Sequence, residues 1–561
     1  MAILAILLPL AASLFLAVAV YTLIQLFNAV LAEYRRAQSL KNIRGPPSSS
    51  WLFGTAALYA IFEALTGMDT GNLLEMHIPK EYGEVDNRWL QEFGPVYRIK
   101  AGFGRERLMV ADPLALQSIL HSDDFISAPS RQAFLTWIFD IMGQCGILAL
   151  EGPRHRTLRA ALNIGFTTPA VRSYLPSFKT LAEALCESLE EKINKAESFN
   201  APLVVDLCPY LNTATLGAIS EAAFGWKVTD LSPDLVQTNS KVVTLSSTVS
   251  ASQLLLDEVL NLNFLPNWLV ALAGRFPIGQ ALMIARDENK ISTMDGTKIV
   301  NQKVEAAKAG AESFDDMTDV YGKILHGEIL GNSAPEITIG DLIGQTSMML
   351  IAGQDTVAVA LGWLFMALAK DQDIQDQLRN EIATIGTEDM YDKYPLLNAV
   401  IKETLRLWPA LPLLFRLAAK DTTIPLSQPI TTTDGHKIDH IPILKGQLLT
   451  LSPYAYERDQ NRWGDDSNQF NPLRWLRDQP RLRQEPSFGP YSNLIAFSSG
   501  AHHCLGWCFA ILEMQVIVCA VLRKFKLHPA NEVAHPMLAT ILMPTDGEGK
   551  KRAACGVQRL L

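Results

Sequence analysis

The chain has 561 residues, with 49 Lys and Arg against 58 Asp and Glu for a net charge of -9; 48% of it is hydrophobic and 19% charged. No basic excess or basic stripe is present, which argues against a nucleic-acid binder, and the apolar content is ample for a large packed core. Cys145, Cys186, Cys208, Cys504, Cys508, Cys519 and Cys555 are scattered and odd in number. They form no disulfide framework and suit a reducing, cytosol-facing compartment.

Residues 1–32 carry no charged side chain. A bilayer core takes about 20 apolar residues as helix, so this run is long enough to span with tilt. It lacks the basic start and short apolar stretch of a cleaved secretory signal. Glu33, Arg35, Arg36, Lys41 and Arg44 follow it and no charge precedes it, which places the remainder in the cytosol. The expected order is a transmembrane anchor over 1–32, a basic, Pro-rich hinge over 33–50 ending in Gly45-Pro46-Pro47-Ser48-Ser49-Ser50, and a globular domain over 51–561. Two prolines fix φ and forbid a continuing helix at the hinge. Trp51 to Ala64 is apolar but short and contains Glu63, so it reads as an interfacial or packed helix.

Beyond residue 51 there is no internal repeat and no linker. Helical periodicity predicts helices near 152–165, 175–196, 209–225, 296–310, 338–370, 372–385, 395–408 and 505–525. Strand signals are confined to 95–111 and 411–450, where Asp434-Gly435 reads as a hairpin turn. The fold class is mainly α with small β-sheets.

Three segments carry chemistry. Ile337 to Leu368 is apolar, with only Asp341 and Asp355 charged inside it. Burying a carboxylate in mid-helix is costly unless it is paired, so Asp355, in Ala352-Gly353-Gln354-Asp355-Thr356, calls for a reason. Glu403 and Arg406 lie three residues apart, side by side on one helix face, which alone is a weak exposed ion pair. Finally, Cys504 sits in Phe497-Ser498-Ser499-Gly500-Ala501-His502-His503-Cys504-Leu505-Gly506, just before an apolar helical run. The glycines let the backbone pass close to a large flat ligand and turn into the helix, and a thiolate there gains from the N–H groups of the helix start. A zinc site built on His502, His503, Cys504 and Cys508 would need paired ligands from a second segment, and no such partner exists. A satisfied buried thiol is the plainer alternative.

Together these segments resemble the cytochromes P-450, the haem-thiolate monooxygenases, over nearly the whole chain after the anchor. The family signature F-x-x-G-x-R-x-C-x-G is met at Phe497, Gly500, Cys504 and Gly506, with His502 in the arginine position. The resemblance implies haem b with Cys504 as axial ligand to iron, a thiolate that favours O–O cleavage, and Phe497 shielding it. It implies that Thr356 and Asp355 relay protons, with Gly353 leaving room in the A-G-x-D-T segment. Glu403, Arg406 and Arg474, the last from Pro472-Leu473-Arg474, would form a structural ion cluster. His155 and Arg159, matching W-x-x-x-R with histidine for tryptophan, and His502 would face the haem propionates. By fold analogy Phe134, Trp137, Phe139, Leu350, Val357, Pro412, Leu413 and Leu414 would line a pocket for a lipophilic small molecule.

The implied function is insertion of one atom of O2 into that molecule, with NADPH-derived electrons from a separate cytochrome P-450 reductase. The implied location is the endoplasmic-reticulum membrane, and the wording of the chain resembles fungal members of secondary metabolism such as terpenoid tailoring. The acid–alcohol pair favours a monooxygenase over a haem-thiolate isomerase or dehydratase that needs no reductase. A non-catalytic haem-binding membrane protein is the third class, distinguished by consuming no NADPH.

Overall fold

The computed structural model describes residues 2–47, 82–100, 105–127, 146–196, 201–246, 280–309, 318–329, 337–385, 390–477, 488–538 and 541–560. In chain order the main helices are α1 (Ala2–Leu40), α2 (Glu84–Phe93), α3 (Pro113–His121), α4 (Gly152–Asn163), α5 (Leu175–Lys195), α6 (Cys208–Phe224) and α7 (Pro233–Ser246). They continue with α8 (Gln280–Ala309), α9 (Val320–Ile329), α10 (Ile339–Ile343), α11 (Thr346–Lys370), α12 (Gln372–Ile385), α13 (Pro395–Leu407) and α14 (Trp507–Lys524). Helices dominate and the sheets are small, as expected. The predicted helix over 296–310 is only the second half of α8.

A five-stranded sheet runs in the order β1 (Val96–Lys100), β2 (Glu106–Val110), β8 (Leu448–Leu451), β5 (Leu414–Ala418), β3 (Phe125–Ile126), and only β2 and β8 pair in parallel. Strands β6 (Thr422–Thr431) and β7 (Lys437–Ile443) form the hairpin predicted at Asp434-Gly435, with Gly435 at φ +85°. Near the C-terminus β4 (Leu203–Asp206), β12 (Ala554–Arg559) and β9 (Phe525–Pro529) make a third sheet, and β10 (His535–Leu538) pairs with β11 (Leu542–Thr545).

The main core gathers around α11, which is apolar on almost every face and packs against α6. The stretch 339–370 is long and apolar enough to cross a bilayer, yet it is mostly buried inside the protein, so it is a core helix. It is broken at 344–345 rather than continuous. Gly344 ends α10, and the Gln345 amide donates to the Asp341 carbonyl while its oxygen accepts from the Ile147 amide. Asp341 is explained by capping: it accepts from the Thr338 amide and hydroxyl, and Arg154 donates to both of its oxygens at 2.5 and 2.6 Å.

Residues 33–47 are not a free hinge. Helix α1 continues to Leu40, which is fully buried with Ile43 in the core beneath the five-stranded sheet. Arg36 donates to the Lys445 carbonyl, Arg98 donates to the Ile43 carbonyl, and Asn42 reaches Asp434 on the hairpin turn. The helix has already ended at Leu40 before Pro46 and Pro47 are reached; Ser48, Ser49, Ser50 and the stretch Trp51 to Ala64 lie outside the described residues.

The predicted ion cluster forms, and it is buried. Glu403 and Arg406 are fully inaccessible and Arg474 nearly so. Glu403 accepts from Arg406 at 2.8 and 2.9 Å, from Arg474 at 3.0 Å, from the Asn471 amide at 2.9 Å and from the Trp475 indole at 2.9 Å. Arg406 in turn donates to the carbonyls of Glu457, Ser467 and Gln469. Breaking such a pair strands a buried charge, at about 3–5 kcal/mol. Glu403→Gln, which keeps the shape and removes the charge, should lower the unfolding midpoint and reduce bound haem in the purified protein; a variant with wild-type midpoint and haem content would show that the cluster carries no such load.

A further buried carboxylate has no such support. Asp86 on α2 is fully buried with no other described residue hydrogen-bonded to either oxygen, and burial pushes its carboxyl from 3.8 to about 7. The folded chain therefore keeps a proton that the unfolded chain releases, so this contribution to stability is complete below the unfolded value and lost as pH rises through about 7. Asp86→Asn should raise the unfolding midpoint, with the gap to wild type widening between about pH 5 and about pH 8 in thermal melts; a gap that narrows with pH would refute the sign.

Candidate active site around Cys504

The Cys504 loop is shaped by backbone as much as by side chains. Ile495–Phe497 forms one 3-10 turn, Ser498 follows at φ +58°, Gly500 sits at φ +70°, and a second 3-10 turn spans Gly500–His502. The Cys504 amide donates to the Phe497 carbonyl at 2.8 Å, closing the loop. Gly506 then caps α14. A Cβ on Gly500 would come within 1.9 Å of the Leu120 carbonyl at the end of α3, so the glycine there serves close packing of the loop on α3. The adjoining Ser499 hydroxyl lies 3.2 Å from the His121 ring. At Gly506 a Cβ would meet nothing closer than an ordinary 3.9 Å contact to Phe166.

Cys504 is exposed, although it lies deep within the protein. Burial raises the thiol, while a hydrogen bond from the Gly506 amide and the Arg159 guanidinium act the other way. Both opposing groups favour a thiolate. No hydrogen bond or ion pair to the Arg159 guanidinium occurs among the described residues, although its charge reaches the Cys504 sulfur. Phe497 stacks edge-on to Tyr491 at 6.2 Å.

The two histidines at expected propionate positions meet each other. The rings of His155 and His502 stack with centroids 4.0 Å apart and 29° between planes. His502 is held by Glu151 at 3.0 Å, and the second Glu151 oxygen accepts from the Ser127 amide at 3.0 Å. Burial alone would raise the Glu151 carboxyl, but these hydrogen bonds outweigh it and bring it down to about 2. Burial, then the neighbouring His502 and Arg159, lowers His155 to about 4, so its ring is neutral. Glu151 was not foreseen; it lies four residues before His155, a spacing that offered a signal only once α4 was known to start at Gly152.

On α11 the accessible stripe is Met348, Ala352 and Thr356, at helical spacing of four, with Ile351 and Gly353 beside it. The Thr356 hydroxyl donates to the Ala352 carbonyl at 2.8 Å, leaving its oxygen free to accept. Asp355 is buried and pairs with Lys551, not with Thr356. Gly353 faces Ile219 of α6, where a Cβ would sit 2.5 Å from the isoleucine, so this glycine permits helix contact.

The expected pocket residues fare differently. Leu350 and Val357 are packed into the main core, while Leu413 belongs to a separate cluster with Tyr82, Tyr97 and Tyr454. The structure does not bring these three together: Leu350 and Val357 turn inward on α11 while the stripe one step round the helix is open, and Leu413 lies just ahead of β5. Pro412 is buried, Leu414 is half-buried, and Phe134, Trp137 and Phe139 lie outside the described residues. A separate cleft of about 620 Å³ at the far end of α11, walled by Trp363, Trp408 and Phe470, shares no residue with the Cys504 or Thr356 segments.

A thiol supported by an amide and a cation, an arginine beside it with no hydrogen-bond partner among the described residues, and an apolar helix stripe ending in a hydroxyl fit a haem held by Cys504, with Arg159 available to a propionate. The chain matches the family model described as cytochrome P-450 over residues 68–548. It is 28% identical to the cytochrome P-450 monooxygenase claW of Ampulloclitocybe clavipes, with 89% of this chain and 88% of that protein covered. It is 29% identical to the ganoderic acid synthetase of Ganoderma lucidum, over 93% of this chain and 94% of that protein. A third relative, the cytochrome P-450 monooxygenase 81 of Postia placenta, is 27% identical, with 92% of each chain covered. The chain thus belongs to the cytochrome P-450 family, as an oxidoreductase that uses haem, O2 and reductase-delivered electrons.

Proposed function

We propose that this chain is a membrane-anchored monooxygenase that hydroxylates or epoxidises a lipophilic small molecule of the terpenoid kind, in fungal secondary metabolism at the endoplasmic reticulum. The observation that carries the reading is Cys504, closed into its loop by the Phe497 carbonyl and assisted toward the thiolate by the Gly506 amide and Arg159. The fungal relatives, one of them a ganoderic acid synthetase by name, support the substrate class.

Haem, when bound, supplies the activation of dioxygen. Cys504 would ligate its iron, Phe497 would cover the sulfur, and Arg159 would pair with a propionate, with the neutral His155 and Glu151-bound His502 stacked at the same edge. Gly500 and Gly506 shape the loop, and Gly353 lets α11 approach α6. Thr356 would orient a water through its free lone pairs, because its own proton is committed to the Ala352 carbonyl. Asp355 would serve as the acid behind it. Met348, Ile351 and Ala352 would meet the substrate's apolar body, which excludes water from the reacting carbon.

The anchor reading rests on α1, a helix of 39 residues, about 58 Å long. Leu16, Val20, Tyr21, Leu23, Ile24, Phe27 and Val30 are exposed along it. A long helix with so many large apolar side chains uncovered by protein suits lipid. The residues from 33 on, docked at the five-stranded sheet, form one catalytic domain in this reading.

Cys504→Ser should abolish the thiolate-type Soret band of the reduced carbon-monoxide complex, whereas removing residues 2–32 should release a soluble protein that keeps it. A serine variant with the band intact would exclude Cys504 as ligand, and a truncated protein that still sediments with membranes would exclude the anchor. Thr356→Ala should leave NADPH oxidation running while product per NADPH falls by about tenfold or more, with hydrogen peroxide making up the difference. Unchanged coupling would remove Thr356 from proton delivery.

A further inference from the structure

The turn of α11 that carries Thr356 also holds two features that weaken a helix. Gly353 lowers helix stability, and the Thr356 hydroxyl donates back to the Ala352 carbonyl at 2.8 Å, a bond that tends to bend helices. On the opposite face of this turn stands Gln354, only 4% exposed. Its side-chain amide is shared between two other helices. Asn239 of α7, 1% exposed, donates to the Gln354 oxygen at 2.5 Å, and the Gln354 amino group donates to the Asn212 carbonyl of α6 at 3.2 Å. Gly353 brings α6 within reach, because a Cβ there would sit 2.5 Å from Ile219, two turns along α6 from Asn212. One buried amide thus ties α6, α7 and α11 together at the residue just before Asp355 and Thr356.

The orientation of these amides follows from what each group can do. A backbone carbonyl only accepts, so Gln354 must turn its amino group to Asn212 and its oxygen to Asn239. Asn239 must then present its own amino group, which leaves its oxygen buried with no partner. A buried acceptor without a donor costs stability, whereas an apolar pair of similar shape at both positions would not. We propose that Gln354 is a positioning residue: it holds the 352–356 turn at one rotation against α6 and α7, so that the Thr356 hydroxyl stays on the open face with Met348 and Ala352. This rests on the reading of Thr356 as the group that orients water in the site. The link costs stability and supplies placement.

Replacing both amides together separates placement from stability, because it removes the orphaned oxygen along with the link. In the full-length haem-loaded protein, Gln354→Leu combined with Asn239→Leu should melt no lower than wild type and keep the carbon-monoxide band. Amide hydrogen exchange across 352–357, followed by mass spectrometry, should nonetheless quicken by about tenfold as the turn opens more often. With purified NADPH-cytochrome P-450 reductase, NADPH and no added substrate, the ratio of water to hydrogen peroxide formed from the oxygen consumed should fall by about tenfold; a displacement of about 1 Å can cost more than that. A wild-type exchange rate or a wild-type ratio would overturn the proposal. So would a double variant that fails to fold or melts several degrees lower, because the link would then be ordinary structural support. Thr356→Ala, measured alongside, tells the two readings apart. A wild-type ratio there sinks the role of Thr356 itself, whereas a loss there with none in the double variant refutes only the role of Gln354.

Discussion

The placement of Cys504 depends on buried carboxylates that never touch the chemistry. Glu403 collects hydrogen bonds from Arg406, Arg474, Asn471 and Trp475, and Arg406 extends the network to the Glu457 carbonyl. The Glu457 side chain, itself fully buried, accepts from the Ile495 amide at 2.8 Å. Ile495 opens the turn whose last residue, Phe497, supplies the carbonyl that closes on the Cys504 amide. An unbroken line of short polar contacts thus leads from the middle of α13 to the loop that presents the sulfur. Because Glu403, Arg406 and Glu457 are fully buried, each of their contacts left unmade would be costly, which favours one conformation of the loop.

The far side of the loop is braced differently. Gly500 lets it approach the Leu120 carbonyl more closely than any side chain would permit, and Ser499 meets His121. Helix α3 is in turn fixed to the β6–β7 hairpin through Asp112, which caps the helix and also accepts from the Ser427 amide. The same sheet and hairpin receive the end of α1 through Arg36, Asn42 and Ile43. The loop, the sheet and the end of α1 are therefore one mechanical unit.

The stacked histidines illustrate two substitutions that answer one another. Tryptophan and arginine in the family pattern are both replaced here by imidazole, and the two rings lie face to face with Glu151 holding one of them. Two cationic imidazoles would repel at that distance. Burial keeps His155 neutral, and the Glu151 carboxylate accompanies His502. Cationic binding at this edge then falls to Arg159.

How much was legible in the sequence follows from the range of each interaction. The thiol in its glycine-flanked loop, the A-G-x-D-T segment and the Glu403–Arg406 spacing are local patterns of a few residues, so they could be read directly, as could the helical class and the hairpin turn. The sequence by itself determined which groups are present and how neighbours on one helix are spaced. Only the tertiary structure decided that Asp355 pairs with Lys551, that Glu151 orients His502, that residues 33–47 dock, and that Met348 and Ala352, not Leu350 and Val357, share the open face with Thr356. The physical reason is that a buried charge selects its partner by proximity in space, and which face of an all-apolar helix stays open depends on what packs against the others. Helix α11 carries no polar stripe to reveal that choice in advance.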